Sequence, residues 1–167
     1  MRVVWATLII SCAFLETVST EVKCDSEWNY RRPFQYRVHC NATFDAAEKI
    51  CRGEGAHLVT IGNEEENKYI RDLIGPQDKF HKDDYNGYMW IGARKLNGTW
   101  KWVTGRVLRF QKWSAGEPNN MWGEEECAQM YTRDVIAPTD GEGDSYWNDV
   151  RCDRVMRFFV CKKIRKR

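Results

Sequence analysis

Two short segments concentrate side chains able to hold a hard metal ion. The first is Glu117-Pro118-Asn119-Asn120, with Glu124, Glu125 and Glu126 following; the second is Trp147-Asn148-Asp149. Their carboxylate and amide oxygens are the ligands Ca²⁺ prefers. The ion takes roughly six to eight oxygens, so neither segment closes a site alone. Pro118 bears on the geometry, because a cis bond before it turns both neighbouring side chains the same way. Cys127 and Cys152 flank the two segments, and a bridge between them would bring Glu125 close to Asn148 and Asp149. Composition alone does not decide for a metal, since most Glu-, Asn- and Asp-rich loops of exported proteins bind nothing. An EF-hand is excluded, because no DxDxDG run ends in the required Glu.

These segments need a scaffold, and the rest of the chain reads as one. The alternation of Phe34, Tyr36 and Val38 predicts a strand, one arm of a hairpin between Cys24 and Cys40. Thr43 opens a helix whose buried face carries Phe44, Ala47, Ile50 and Cys51, and Gly53 and Gly55 end it. His57 to Ile61 reads as a short strand. A second helix starts at the N-cap Asn63, with Glu66 completing a capping-box pattern and Glu64 to Glu66 at the positive end of the dipole. Its buried stripe is Tyr69, Ile70, Leu73 and Ile74, and Gly75-Pro76 stops it. Residues 77 to 86 read as a polar loop. Strands follow at Met89-Trp90-Ile91-Gly92 and at Trp100 to Val103, around an Asn97-Gly98 turn. Residues 111 to 126 read as loop, Cys127 to Tyr131 as strand, Thr139 to Ser145 as a turn-rich excursion and Arg157 to Cys161 as a last strand. Two helices among short strands and long loops imply an α+β fold.

Residues 1 to 20 have the order of a secretory signal peptide: Met1-Arg2, an apolar run from Val3 to Leu15, then a small polar stretch. The run is shorter than the roughly 20 residues that span a bilayer. Cleavage near Ser19 or Thr20 leaves about 147 residues, one secreted domain spanning 21 to 162 and a basic tail at 163 to 167. Aromatics at 13% and eight Trp argue for an ordered fold, and a net charge of +2 is too small to imply nucleic acid. No later segment is apolar enough for a transmembrane span. The basic run Lys162 to Arg167 is read as a solvated terminus, or more sharply as a contact for anionic glycans or lipids.

Cys12 leaves with the leader, and six cysteines remain: Cys24, Cys40, Cys51, Cys127, Cys152 and Cys161. An even set in an exported chain implies three disulfides, with fifteen pairings open. Zinc is disfavoured, since there is no CxxC pair and His39, His57 and His81 lie in no ligand spacing. Asn41-Ala42-Thr43 and Asn97-Gly98-Thr99 are N-glycosylation sequons.

Trp90-Ile91-Gly92, then Glu117-Pro118-Asn119, then Glu125-Glu126-Cys127, then Trp147-Asn148-Asp149-Val150-Arg151-Cys152 resemble a C-type lectin domain in order and cysteine step. The resemblance covers about Cys24 to Lys162. It implies the C-type lectin-like fold and the pairs Cys51–Cys161, Cys127–Cys152 and the long-form bridge Cys24–Cys40. The Cys51–Cys161 loop of about 110 residues is worth roughly 4–5 kcal/mol on chain-entropy estimates. Trp90-Ile91-Gly92 becomes a core strand. The family's principal Ca²⁺ site maps onto Glu117, Asn119, Glu125, Asn148 and Asp149, and the same residues become the carbohydrate-binding set. Glu124 and Glu126 drop out. The Glu–Pro–Asn order implies mannose-type sugars, whereas Gln–Pro–Asp would imply galactose. A single shallow site implies weak affinity and multivalent use, with any homo-oligomer formed through domain contacts.

Three departures qualify this expectation. Residues 93 to 97, read as the loop after Trp-Ile-Gly, are basic and Asn120 replaces a useful acid, so an accessory Ca²⁺ site is not expected. The 24 residues between Cys127 and Cys152 are more than usual, with an excursion at Asp140 to Asp144. Met121 and Trp122 lie beside the site, where Trp122 either stacks on sugar or packs on the domain. The competing function is a protein- or anionic-glycan-binding module independent of calcium. A carboxylate-pair glycosidase using Glu117, Glu125 and Asp149 is disfavoured, because carboxylates committed to a metal are poor proton donors.

Overall fold

The computed structural model describes residues 24–75, 88–132 and 145–165. In chain order the elements are β1 (Asn29–Arg31), β2 (Phe34–Ala42), α1 (Phe44–Gly53), β3 (His57–Leu58), α2 (Glu64–Ile74), β4 (Tyr88–Leu96), β5 (Thr99–Trp102), a single 3₁₀ turn (Met121–Gly123), β6 (Cys127–Tyr131), β7 (Trp147–Val150) and β8 (Met156–Ile164). The expected leader, the 77–86 loop and the 139–144 excursion lie outside the described residues.

One mixed sheet carries the domain, in the order β1-β2-β8-β4-β6-β7, with β3 on β8 and β5 on β4. All pairings are antiparallel except β4 with β8, which meet in parallel at Met89–Phe158 and Trp90–Phe159. Beyond that contact the chain at Val59 fills the gap between them. Val59 donates its N–H to Val160 O at 2.8 Å and accepts from Gly92 N at 2.8 Å. Gly92 is glycine for this reason: a Cβ there would stand 2.7 Å from Leu58 O. The five-residue strand expected at 57–61 is therefore only two residues long, because Val59 divides its bonds between two neighbours.

α1 starts after Thr43, whose side chain makes no capping bond, and buries Phe44, Ala47 and Cys51. Ile50, expected on that face, is 42% exposed; it falls on the flank of a stripe centred on the other three. α2 opens as predicted, with Asn63 Oδ1 accepting the Glu66 N–H at 2.8 Å. The return bond differs from a capping box. Glu66 Oε2 accepts from Gly62 N, one residue before the cap. Ile70 and Ile74 are buried, with Tyr69 and Leu73 packed beside them. Asn97 and Gly98, both at positive φ, close the β4–β5 hairpin as a turn of this kind requires. Residues 93–96, expected as loop, continue β4 instead.

Trp90 and Trp147 are both fully buried, and each indole N–H has a partner: Ala42 O at 2.9 Å for Trp90 and Asn67 Oδ1 at 2.8 Å for Trp147. Three disulfides join Cys24–Cys40, Cys51–Cys161 and Cys127–Cys152. The first staples the start of the described chain to β2, and the second pins α1 to β8. The basic run is not a free tail from Lys162 onward. Lys162, Lys163 and Ile164 are ladder residues of β8, opposite Tyr36, Gln35 and Phe34. No helix among the described residues is long and apolar enough to cross a membrane.

Candidate metal centre

Two stretches are delivered to the same end of the sheet. β6 and β7 pair so that Ala128 faces Asp149 and Gln129 faces Asn148, with Cys127–Cys152 closing the end. The chain at 112–114 runs beside β7: Trp147 N donates to Lys112 O at 2.7 Å and Ser114 N to Trp147 O at 2.8 Å. Loop 115–126 leaves from that bridge, turns at Gly116 (φ 81°) and returns to β6.

The loop folds around one buried carboxylate. Asp149 is wholly buried, and its Oδ1 and Oδ2 accept the backbone N–H groups of Asn119 and Asn120, each at 2.9 Å. Glu117-Pro118 is cis. Beyond it, Asn119 donates from N to Glu117 Oε2 at 3.1 Å and from Nδ2 to Glu117 Oε1 at 2.9 Å, so the two side chains lie together as the sequence predicted. Glu125 is tied in from the other limb. Its Oε2 accepts from Met121 N at 2.8 Å, and its N–H donates to Asn120 Oδ1 at 3.1 Å. Asn120, read in the sequence as part of the oxygen-rich segment and as standing where a further acid would help, thus braces both limbs.

The electrostatics are those of crowded acids. Burial pushes the Glu117 carboxyl up to about 7, helped by its hydrogen bond to the Asp149 carboxyl and by the Asp149 and Glu125 charges. Glu125 is raised too, first by burial and then by Asp149, against the pull of the Met121 N–H and Arg154. Side chains whose oxygens repel one another at one point fit a hard divalent cation, which would favour their ionised forms.

Glu117, Asn119, Glu125 and Asp149 are linked by these bonds, and Asn148 is next to Asp149 on β7. Glu124 stands outside, paired with Arg151. Glu126 is exposed, its carbonyl accepting from Lys95 N at 2.8 Å. Trp122 is not packed on the domain: it is 84% exposed, on a residue with φ 56°. Residue reasoning missed the support behind the site, the Asn67–Trp147 bond from α2 to β7; a buried Asn on an amphipathic helix was its one sequence trace. A separate grouping, His39, Glu54 and Cys161, offers no thiolate, because Cys161 is in a disulfide.

A family model described as the lectin C-type domain matches residues 41–163. E-selectin of the rabbit, Oryctolagus cuniculus, is 34% identical over 137 residues, covering 80% of this chain and 21% of the selectin. The chain spans about a fifth of the length of the selectins it matches. C-type lectin lectoxin-Lio1 of Erythrolamprus poecilogyrus is 29% identical over 166 residues, 96% of this chain and 93% of its own. The mouse scavenger receptor C-type lectin carbohydrate-recognition domain superposes with a TM-score of 0.64 at 27% identity, covering 86% of this chain and 98% of that one. The chain therefore belongs to the C-type lectin domain family, whose members are generally carbohydrate-binding and not enzymes.

Proposed function

We propose that this is a secreted, calcium-dependent lectin for mannose-type sugars, with Glu117, Asn119, Glu125, Asn148 and Asp149 as metal ligands and as the carbohydrate-binding set, the wholly buried Asp149 serving the sugar through the ion and the loop it holds. The observation that carries the reading is the joined pair Glu117 and Asn119, an acceptor and a donor side by side over the buried Asp149 carboxylate. A bound Ca²⁺ would supply open coordination positions for two adjacent sugar hydroxyls. Glu117 and Glu125 would accept hydrogen bonds from those hydroxyls, and the amides of Asn119 and Asn148 would donate to them. Asp149, enclosed and bonded to two backbone amides, holds the loop in shape.

Secretion rests on the leader pattern of residues 1–20. In that compartment Asn41 and Asn97, both exposed, are accessible to glycosylation. Retention on mannan resin in calcium, release by EDTA, and loss of both in Glu125→Ala test the function. Retention that survives chelation and excess free mannose would sink it. Sequencing the N-terminus of the exported chain tests the leader.

A further inference from the structure

A groove on another part of the surface has no part in the site above. Two cavities, of about 990 and 560 Å³, share Phe34, Thr60, Arg106 and Lys162 in their walls. None of the five residues of the candidate metal centre lines either cavity.

The groove is strongly biased in charge. Lys162 reaches in from β8, where its Nζ pairs with Glu66 at 2.6 Å and donates to Thr60 O at 2.7 Å. Glu66 is the one carboxylate in these walls, and it is already shared with Lys162, Tyr36 and Gly62. Lys163 in the smaller cavity donates to Glu54 O. Arg106 and Arg109 are different. Both are exposed, Arg106 at the close of the turn after β5 and Arg109 two residues past the Val107 bridge; both line the larger cavity, and neither guanidinium has a hydrogen-bond or ion-pair partner among the described residues. Two uncommitted, weakly hydrated forks thus face a cleft that also holds the half-buried rings of Phe34, with Lys162 Nζ 4.0 Å above it, and Phe110, packed edge-on against Trp147, beside exposed aliphatic surface at Val107.

An acidic peptide adding to a strand edge fits this place poorly. β5, at the rim, has β4 on one side, and on the other Lys101 pairs with Val107 while Trp102 N donates to Arg106 O at 2.9 Å. The groove therefore offers no open strand edge at β5, only side chains. Sulfate esters suit guanidinium forks, and the C–H faces of sugar rings suit exposed apolar surface such as Val107.

We propose that the groove is a second, calcium-independent site for a sulfated polysaccharide, with Arg106 and Arg109 holding its sulfates. It stands apart from the mannose reading and survives that reading's failure. The test is retention on heparin resin in EDTA, with the full chain. Wild type is retained and eluted by salt. Arg106→Gln/Arg109→Gln binds at least about tenfold more weakly, from two lost charge-assisted contacts, while its melting temperature and calcium-dependent mannan retention stay unchanged. Should the double variant lose its fold, Arg109→Glu alone carries the same expectation. The proposal fails if the variant binds heparin like wild type. It fails if EDTA abolishes retention, or if removing residues 165–167 alone does so. It also fails if polyglutamate competes as well as heparin, which would assign the groove to acidic peptides.

Discussion

The Asp149 carboxylate accepts the backbone N–H of Asn119 at 2.9 Å across 30 residues of sequence, and the next amide, Asn120, takes its other oxygen. A side chain with no exposed surface thus sets the shape of a loop whose working groups face outward. Asp149→Ala leaves two amides facing a void and is expected to cost about 2–3 kcal/mol, because hydrogen bonds to a charged group are the strong ones. Melts in excess chelator isolate this structural share from metal binding. An unchanged melting temperature there would mean that Asp149 anchors nothing.

Exchanging the polarity of the Glu117–Asn119 pair is expected to exchange the sugar. Glu117→Gln with Asn119→Asp keeps one carboxylate and one amide, so calcium affinity is retained to within about tenfold. Mannan binding falls by at least about tenfold, and galactose resin begins to retain the protein. Calcium titration alongside the two resins separates loss of metal from change of specificity.

Acid and base should act oppositely on the calcium-free chain and on calcium binding. Glu117 is raised from 4.5 to about 7, mainly by burial. A carboxyl raised on folding binds more protons folded than unfolded. Its contribution to stability is complete below about 4.5 and is lost as pH climbs through about 7. Melting of the chelated protein, taken as the difference between wild type and Glu117→Gln, is expected to fall across that window. Calorimetry in buffers of different ionisation enthalpy should find protons released on calcium binding at pH 6 and fewer near pH 8.

Gly92→Ala should damage the scaffold without touching the site. Its Cβ would lie 2.7 Å from Leu58 O, a backbone atom that cannot swing aside. Overpacking of this kind costs about 1–3 kcal/mol, read as a lower urea midpoint with an unchanged slope. Wild-type stability would show that the β3–β4 approach has slack.

The motifs that announced the fold are local and chemically marked. Asn63 and Glu66, the Asn97-Gly98 turn and the alternation through Tyr36 and Val38 each carry their structural reason within a few residues. The metal cluster was harder. Read as loose acids it was ambiguous, and the family motif order supplied the pairing of loop and strand. What stayed hidden depends on distant partners. Val59 serves two strands and so belongs to neither ladder. Ile50 stays 42% exposed on the flank of α1. Lys162 looks like the start of a solvated tail until Glu66 and Thr60 are brought beside it. Arg106 and Arg109 had no motif at all, since their groove is assembled from β2, α2, β8 and the turn after β5.

The bridge between Cys24 and Cys40 decides how the domain would bear a pull. Phe34 and Ile164 sit opposite each other at one end of the β2–β8 ladder. Tension entering β2 at Phe34 and leaving through Ile164 would peel that ladder like a zip, one pair at a time. The bridge moves the point of entry to Cys40, which lies opposite Phe158 near the far end, short of the Ala42–Met156 pair. Tension then runs along the strands and loads every rung together, the arrangement that resists longest. Stretching single molecules from residues 24 and 165, with the first bridge intact or replaced by Ser, should show the rupture force drop when it is gone; equal forces would mean the load takes another path.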